Sequence, residues 1–261
     1  EIRSPRRATV VRVKILDGRA QRARRQKGSR GAEGRAGRRC AGGCGVGRSG
    51  RFPLTTAPTD PLPPPGFESR QLVLTEVGRG AIWRRLYQTR FRDPLGYGFG
   101  PSRFSDPETG LVPPERFGVV YLGSSIKVCF VEAILRDRGA GRTQTYPIEW
   151  RELEAWTCAE IRVAEPLNLV DFRGDGLIRM GVPTDVARAR TQDLGRAWSR
   201  AVWSHQTQPD GIIYDSRLNG ETNVAVFDRA LPKLAGHGTP RLVECRSDLA
   251  AIITAFDLAI I

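Results

Sequence analysis

A single carboxylate sits where an acid is not expected. Glu132 interrupts VVYLGSSIKVCFVEAIL, residues 119–135, in which most neighbours are apolar, and an acid inside such a segment is rare unless a cation or a hydroxyl pairs with it. Other groups capable of chemistry are scattered along the chain. Arg103 stands between Ser102 and Phe104, just after Pro101; a guanidinium held in such a semi-rigid loop offers forked donors to a phosphate, or is a plain surface arginine. Arg84 comes directly after Ile82 and Trp83 and could point inward or outward. Ser216 ends the run DGIIYDS with no GxSxG elbow around it, which speaks for a turn residue and against a hydrolase nucleophile.

These groups need elements to hold them. Residues 118–122 are β-branched and aromatic, as in a buried strand, with Gly123 and Ser124 as the following turn. Ser125 reads as the N-cap of a helix in which Ile126, Cys129, Phe130, Ala133 and Ile134 recur at helical spacing, and Arg136 and Arg138 suit its C-terminal dipole before Gly139. Val128, Val131 and Leu135 make its other sides apolar too, which places Glu132 inside the protein. Residues 71–76 and 81–87 read as strands about a turn at 78–80. Residues 90–106 read as a loop, because GYGFG at 96–100 has neither a strand leading in nor a helix following, as a dinucleotide fingerprint requires. Strands are expected at 146–156, 158–163 and 167–172, the last ended by GDG at 174–176. Thr184 is the expected cap of a helix whose second half carries Leu194, Ala197, Trp198, Ala201 and Val202 at the helical period, with Trp198 and Trp203 as core residues. Residues 210–228 read as strand, Asn219-Gly220 turn and strand. The pattern of 242–261 does not decide between helix and strand.

Charge divides the chain. Residues 1–70 carry 17 Lys and Arg against 5 Asp and Glu, whereas 71–261 carry 24 against 23, so the basicity belongs to the start and no basic face is implied for the rest. Residues 1–52 are rich in Arg, Gly and Ala with almost no aromatics, a composition that cannot bury enough apolar area to fold, and 52–66 with PLPPPG read as an extended linker. The expectation is a disordered tail and linker over 1–59 and a folded domain over 60–261. The segment 8–16, ATVVRVKIL, alternates like a strand but has nothing near it in sequence to pair with. Five cysteines show no repeated spacing, and neither His205 nor His237 has a second ligand at metal spacing, so no metal site is expected. The odd cysteine count and the lack of a signal-peptide pattern lead to the expectation of a reducing cytosol, and no apolar run is long enough for a membrane span.

With Arg84, Arg103, Glu132 and Ser216 in that order, the chain resembles the RES family, named for Arg, Glu and Ser. IWR at 82–84 is similar to the family's opening strand motif and SRF at 102–104 to its second arginine. VVYLGSS with VEAIL resembles its tyrosine strand and glutamate helix, and DGIIYDSR with NVAVFD its serine segment. The resemblance covers about residues 60–261. Where family members often carry a glycine pair and Trp beside the second arginine, this chain has Pro101, Ser102, Arg103 and Phe104.

The resemblance implies an α+β fold similar to ADP-ribosyltransferases, with a mixed sheet core and flanking helices. It also implies a toxin of a toxin–antitoxin pair, NAD as substrate with no further cofactor, and an Xre-like antitoxin lying over the active site. By the same resemblance Glu132, Arg84 and Ser216 are catalytic and Arg103 and Tyr121 bind substrate. Breaking the nicotinamide–ribose bond passes through an oxocarbenium-like state, which needs a nearby carboxylate more than a strong nucleophile. Glu132 would hold the ribose 2′-hydroxyl, Arg84 and Arg103 the pyrophosphate, and Tyr121 would pack against a ring; Ser216 would orient Glu132 or the ribose. Hydrolysis, phosphorolysis and transfer to a protein acceptor all remain open. Two rivals stand beside this reading: a nucleic-acid-binding protein acting through its basic tail, and a RES fold kept only for interaction.

Overall fold

The strand and helix around Glu132 form where the apolar pattern puts them. The computed structural model describes residues 61–138, 141 and 145–261, all within one compact unit; the tail expected over 1–59 and the segment 8–16 lie outside the described residues. In chain order the elements are β1 (Leu74–Val77), β2 (Ile82–Gln88), β3 (Val119–Gly123), α1 (Ile126–Phe130), β4 (Tyr146–Ile148), α2 (Trp150–Glu154), β5 (Trp156–Val163) and β6 (Leu167–Asp171). They continue with α3 (Gly176–Met180), α4 (Asp185–Arg188), α5 (Asp193–Trp203), β7 (Gly211–Asp215), β8 (Thr222–Phe227), β9 (Leu234–His237), α6 (Arg246–Ala255) and β10 (Leu258–Ile260). The protein is α+β, with a mixed sheet and flanking helices.

The main sheet runs β1-β6-β7-β8-β3-β2-β5-β9, and a second pairs β10 with β4. Only β6 and β7 are parallel within the main sheet. Because side chains alternate across a strand, the main sheet has two faces. On one, Val77 of β1 and Leu169 of β6 share a cluster with Ile161 and Val163 of β5 and Leu234 of β9. Residues of strands from end to end of the sheet share this one cluster, which forms the inner face of a curled sheet. The other face carries the helices in two groups. Phe104, Val186, Trp198 and Val202 pack over Ile212, Ala225 and Phe227, while Val128, Phe130, Leu153 and Ile252 pack over Leu86 and Cys158. Between these groups β2 and β3 pair through Arg84 and Gly123 alone, which leaves a gap at the seam.

Several expectations need correction. The strand expected over 146–156 stops at Ile148, and α2 begins at Trp150; the helical turn buries Leu153 completely while Trp150 stays exposed. The single helix expected from Thr184 to Val202 is two. The chain turns extended at Ala189 with ψ 152, and Thr184 makes no side-chain cap. The break lets α4 and α5 meet closely at Gly195, where a Cβ would lie 3.0 Å from the Val186 carbonyl oxygen. The helix read as reaching Arg138 ends at Leu135 in a wider turn, Val131–Leu135, of the i to i+5 type. Residues 242–261 resolve into α6 and β10.

Candidate active site

Glu132 is placed by three restraints on its helix. The Ser125 hydroxyl accepts from the Val128 N–H at 3.1 Å as the N-cap and donates to Glu221, whose carboxylate also pairs with Lys127 at 2.6 Å. The start of α1 is thus tied to the β7–β8 turn. Gly123 then allows α1 to lie against β3: a Cβ there would stand 2.5 Å from Val128 Cγ1 and 2.7 Å from Cys129 Sγ. Finally the wide turn carries Glu132, with the Arg136 N–H donating to the Val131 carbonyl at 2.7 Å. Turns of this kind recur at functional sites.

The carboxylate is half-buried and, as expected, has a hydroxyl partner. Ser216 Oγ donates to Glu132 Oε1 at 2.6 Å. Because Ser216 Oγ also accepts from the Leu218 N–H at 3.1 Å, its own proton is directed at the carboxylate. Asn223 Nδ2 donates to the same oxygen at 3.4 Å. Ser216 and Asn223 are both buried, so Oε1 is held from behind and Oε2 has no donor among the described residues.

Arg103 is held just as firmly. The Tyr121 hydroxyl accepts from the Phe104 N–H at 2.8 Å and shares a hydrogen bond of 2.9 Å with Ser102 Oγ. Ser199 of α5 donates to the Phe104 carbonyl at 2.7 Å, and Phe104 itself is fully buried against Tyr214. Gly195 gives the loop its seat, since a Cβ there would be 2.5 Å from the Arg103 carbonyl oxygen. Burial pushes the Tyr121 hydroxyl up to about 12, so it stays a neutral hydrogen-bonding group. Burial also lowers the Arg103 pKa from its ordinary value, against the opposing pull of Tyr214 and Glu132. Its Nη1 is buried with no hydrogen-bond partner among the described residues, a costly state for a cation's donor.

Arg103, Tyr121, Glu132, Tyr214 and Asn223 line one cavity of about 380 Å³ over the seam of the sheet, with Arg136, Asp137, Arg190 and Arg217 toward its mouth. Asp137 hydrogen-bonds Arg217 at 2.5 Å and lies 3.9 Å from Arg190. That hydrogen bond from Arg217 holds the Asp137 carboxyl below its ordinary value. The structure therefore brings Glu132, Ser216, Arg103 and Tyr121 together. Arg84 stands apart: it lies on the same sheet face as Leu86, which lines the cavity, but its guanidinium pairs with Glu160 of β5. Tyr121, expected against a substrate ring, reaches the cavity while its hydroxyl clamps the Arg103 loop.

Sequence reasoning missed Asn223, Asp137 and Arg217. Asn223 carried a signal, a polar residue opening an apolar strand whose faces are both buried, VAVF. Asp137 and Arg217 carried none, since their pairing joins segments 80 residues apart. Among the described residues, no three His, Cys, Asp or Glu side chains gather to hold a metal ion, and no helix is long and apolar enough to cross a membrane.

The RES domain family profile matches residues 76–249, a span that contains every residue of this cavity. A Sinorhizobium fredii protein called "Probable toxin y4kH" is 49% identical over 127 residues, which are 49% of this chain and 100% of that protein. Among solved structures, the M. tuberculosis MbcT-MbcA toxin-antitoxin complex contains a chain that aligns with TM-score 0.48 and 20% identity, over 67% of this chain and 92% of that one.

Proposed function

Because the chain belongs to the RES domain family, we propose that it is the toxin of a toxin–antitoxin pair and that it cleaves the nicotinamide–ribose bond of NAD. The observation that carries this reading is that one cavity is lined both by Glu132, a carboxylate with one oxygen anchored and one oxygen free, and by Arg103, a guanidinium with no carboxylate partner among the described residues. An anionic group and a developing cation would answer these two needs.

In the proposed reaction the C1′–N bond breaks and nicotinamide leaves with the electron pair, which turns the ribose ring into an oxocarbenium-like cation. Glu132 Oε2 accepts a hydrogen bond from the ribose 2′-hydroxyl and stabilises that charge, while Ser216 and Asn223 keep the carboxylate in place. Ser216 is buried behind Glu132, which supports orientation of the carboxylate over contact with the ribose. Arg103 takes the pyrophosphate through its free donors. Arg84 joins the substrate only by exchanging Glu160 for it. The cation is captured by an oxygen of water, phosphate or a protein side chain, whose proton passes to solvent. An Xre-like antitoxin lying over the cavity mouth would block NAD.

The test is incubation of the purified chain with NAD, following nicotinamide by chromatography, in buffer, with phosphate, and with cell lysate as a source of acceptor. Release above the uncatalysed rate in any arm supports the reading. Background release in all three overturns it.

A further inference from the structure

Arg136 occupies a backbone conformation that an arginine should avoid. Its φ is 46° and its ψ −129°, and the Arg138 N–H donates to the Leu135 carbonyl at 2.9 Å across it. These values match the first central position of a II′-type turn, where glycine is strongly favoured because a Cβ crowds the backbone. A non-glycine residue held there persists only when something else requires it, and such strain gathers at binding sites.

The surroundings supply the requirement. Arg136 lines the Glu132 cavity together with Arg103, Arg190 and Arg217. Arg190 and Arg217 share the Asp137 carboxylate. Arg103 and Arg136 have no carboxylate partner among the described residues: Arg136 Nε donates to the Glu132 carbonyl at 3.2 Å, which leaves the outer edge of its guanidinium to the cavity. That bond also fixes the arginine to the turn that carries the carboxylate. Against the four arginines the same cavity sets two acids, Glu132 and Asp137, a net charge of +2, and neither acid forms an ion pair with Arg103 or Arg136 among the described residues.

We infer that Arg136 is a substrate-binding residue, which from the cavity mouth joins Arg103 of the cavity wall in clamping a dianionic pyrophosphate between them, and that its side chain is the reason the turn is not a glycine turn. The inference rests on the NAD reading for the identity of the substrate but not for the anion site itself. It gives the pyrophosphate its second cation, in place of an Arg84 that Glu160 already holds.

The experiment compares the full chain with Arg136→Gly and Arg136→Ala, measuring unliganded melting temperature and the binding of inorganic pyrophosphate and of ADP-ribose by calorimetry at low salt. Alanine removes the guanidinium and keeps the strained backbone; glycine removes both. Elsewhere glycine is the less stable of the two because it loses more backbone freedom on folding. Here Arg136→Gly is expected to melt a few degrees above Arg136→Ala, and both variants to bind pyrophosphate about tenfold more weakly, as for loss of a charge-assisted hydrogen bond. A glycine variant no more stable than the alanine variant would overturn the inference. So would variants that bind pyrophosphate as the parent does, or a parent that binds none. Binding of pyrophosphate that depends on Arg136, with no turnover of NAD, would sink the nicotinamide-cleaving reading and leave this one standing.

Discussion

Replacing Glu132 by glutamine separates a catalytic carboxylate from a structural one. A glutamine can keep its carbonyl oxygen where Oε1 is, accepting from Ser216 Oγ at 2.6 Å and from Asn223 Nδ2 at 3.4 Å, so neither buried donor is orphaned. Its amide then replaces Oε2 at the cavity, turning an acceptor into a donor at the point where the 2′-hydroxyl would dock. No described ion pair uses Glu132. The stability cost is therefore that of exchanging a charged hydrogen bond for a neutral one, about 1 kcal/mol, which lowers the melting temperature of a domain this size by about 2–4 °C. The expected loss of turnover is far larger, about 10² to 10³ in kcat, as when a donor or charge serving a transition state is removed. Thermal melting and nicotinamide release, run on the same preparations, read the two effects. Had Glu132 been half of a buried ion pair, breaking it would cost about 3–5 kcal/mol. A glutamine variant that melts ten or so degrees low, yet keeps its activity per folded molecule, would refute the reasoning.

Gly123→Ala would drive a methyl into Val128 and Cys129, and overpacking of this kind costs about 1–3 kcal/mol; urea unfolding should show it, with turnover falling further because α1 carries Glu132. Cys129 is buried and its thiol is pushed up to about 12 by that burial, so in native protein at pH 8 iodoacetamide should label half-buried Cys245 before it, and mass spectrometry showing fast Cys129 labelling would contradict this. Asp171 is desolvated, but hydrogen bonds from Arg173 and Thr75 outweigh that and hold its carboxyl below its ordinary value. The stabilisation is thus present above about pH 4, the unfolded value, and is lost as pH falls through the folded value; melting curves of Arg173→Leu should fall less steeply with acid than those of the parent. Removing residues 1–60 should leave melting and NAD turnover unchanged, since the family match begins at residue 76, and a large drop in melting temperature would show otherwise.

The parts of the site that can be read from sequence are those built within one short stretch. Ser125, Gly123 and the apolar spacing of 126–134 specify strand, cap and helix through local sterics and hydrogen bonds, and the Asn219-Gly220 turn brings β7 back as β8. What escapes is decided between stretches. Arg84 could be assigned inward or outward only by knowing that β5, with Glu160, is its neighbour. The break at Ala189 depends on how tightly Gly195 seats the Arg103 loop. The wide turn at Val131–Leu135 leaves no pattern, because the residues that end it, Arg136 and Asp137, look like the basic and acidic surface of any helix end. Asn223 becomes a site residue because β8 pairs with β3 at Gly123, which sets it beside the helix that carries Glu132.

The order in which the chain is made bears on when it can act. Arg84, Arg103, Tyr121 and Glu132 leave the ribosome first, whereas the two donors that fix the carboxylate come 84 and 91 residues after it. At about 5–20 residues per second that interval is about 4 to 18 seconds. During it β3 lacks its partner β8, the Ser125 cap lacks Glu221, and Glu132 lacks both Ser216 and Asn223. The nascent polypeptide therefore spends its synthesis without a finished cavity, and competence arrives only when the hairpin of β7 and β8 threads into the middle of the sheet. A partner that met the chain while it was still being translated would find no finished cavity to cover.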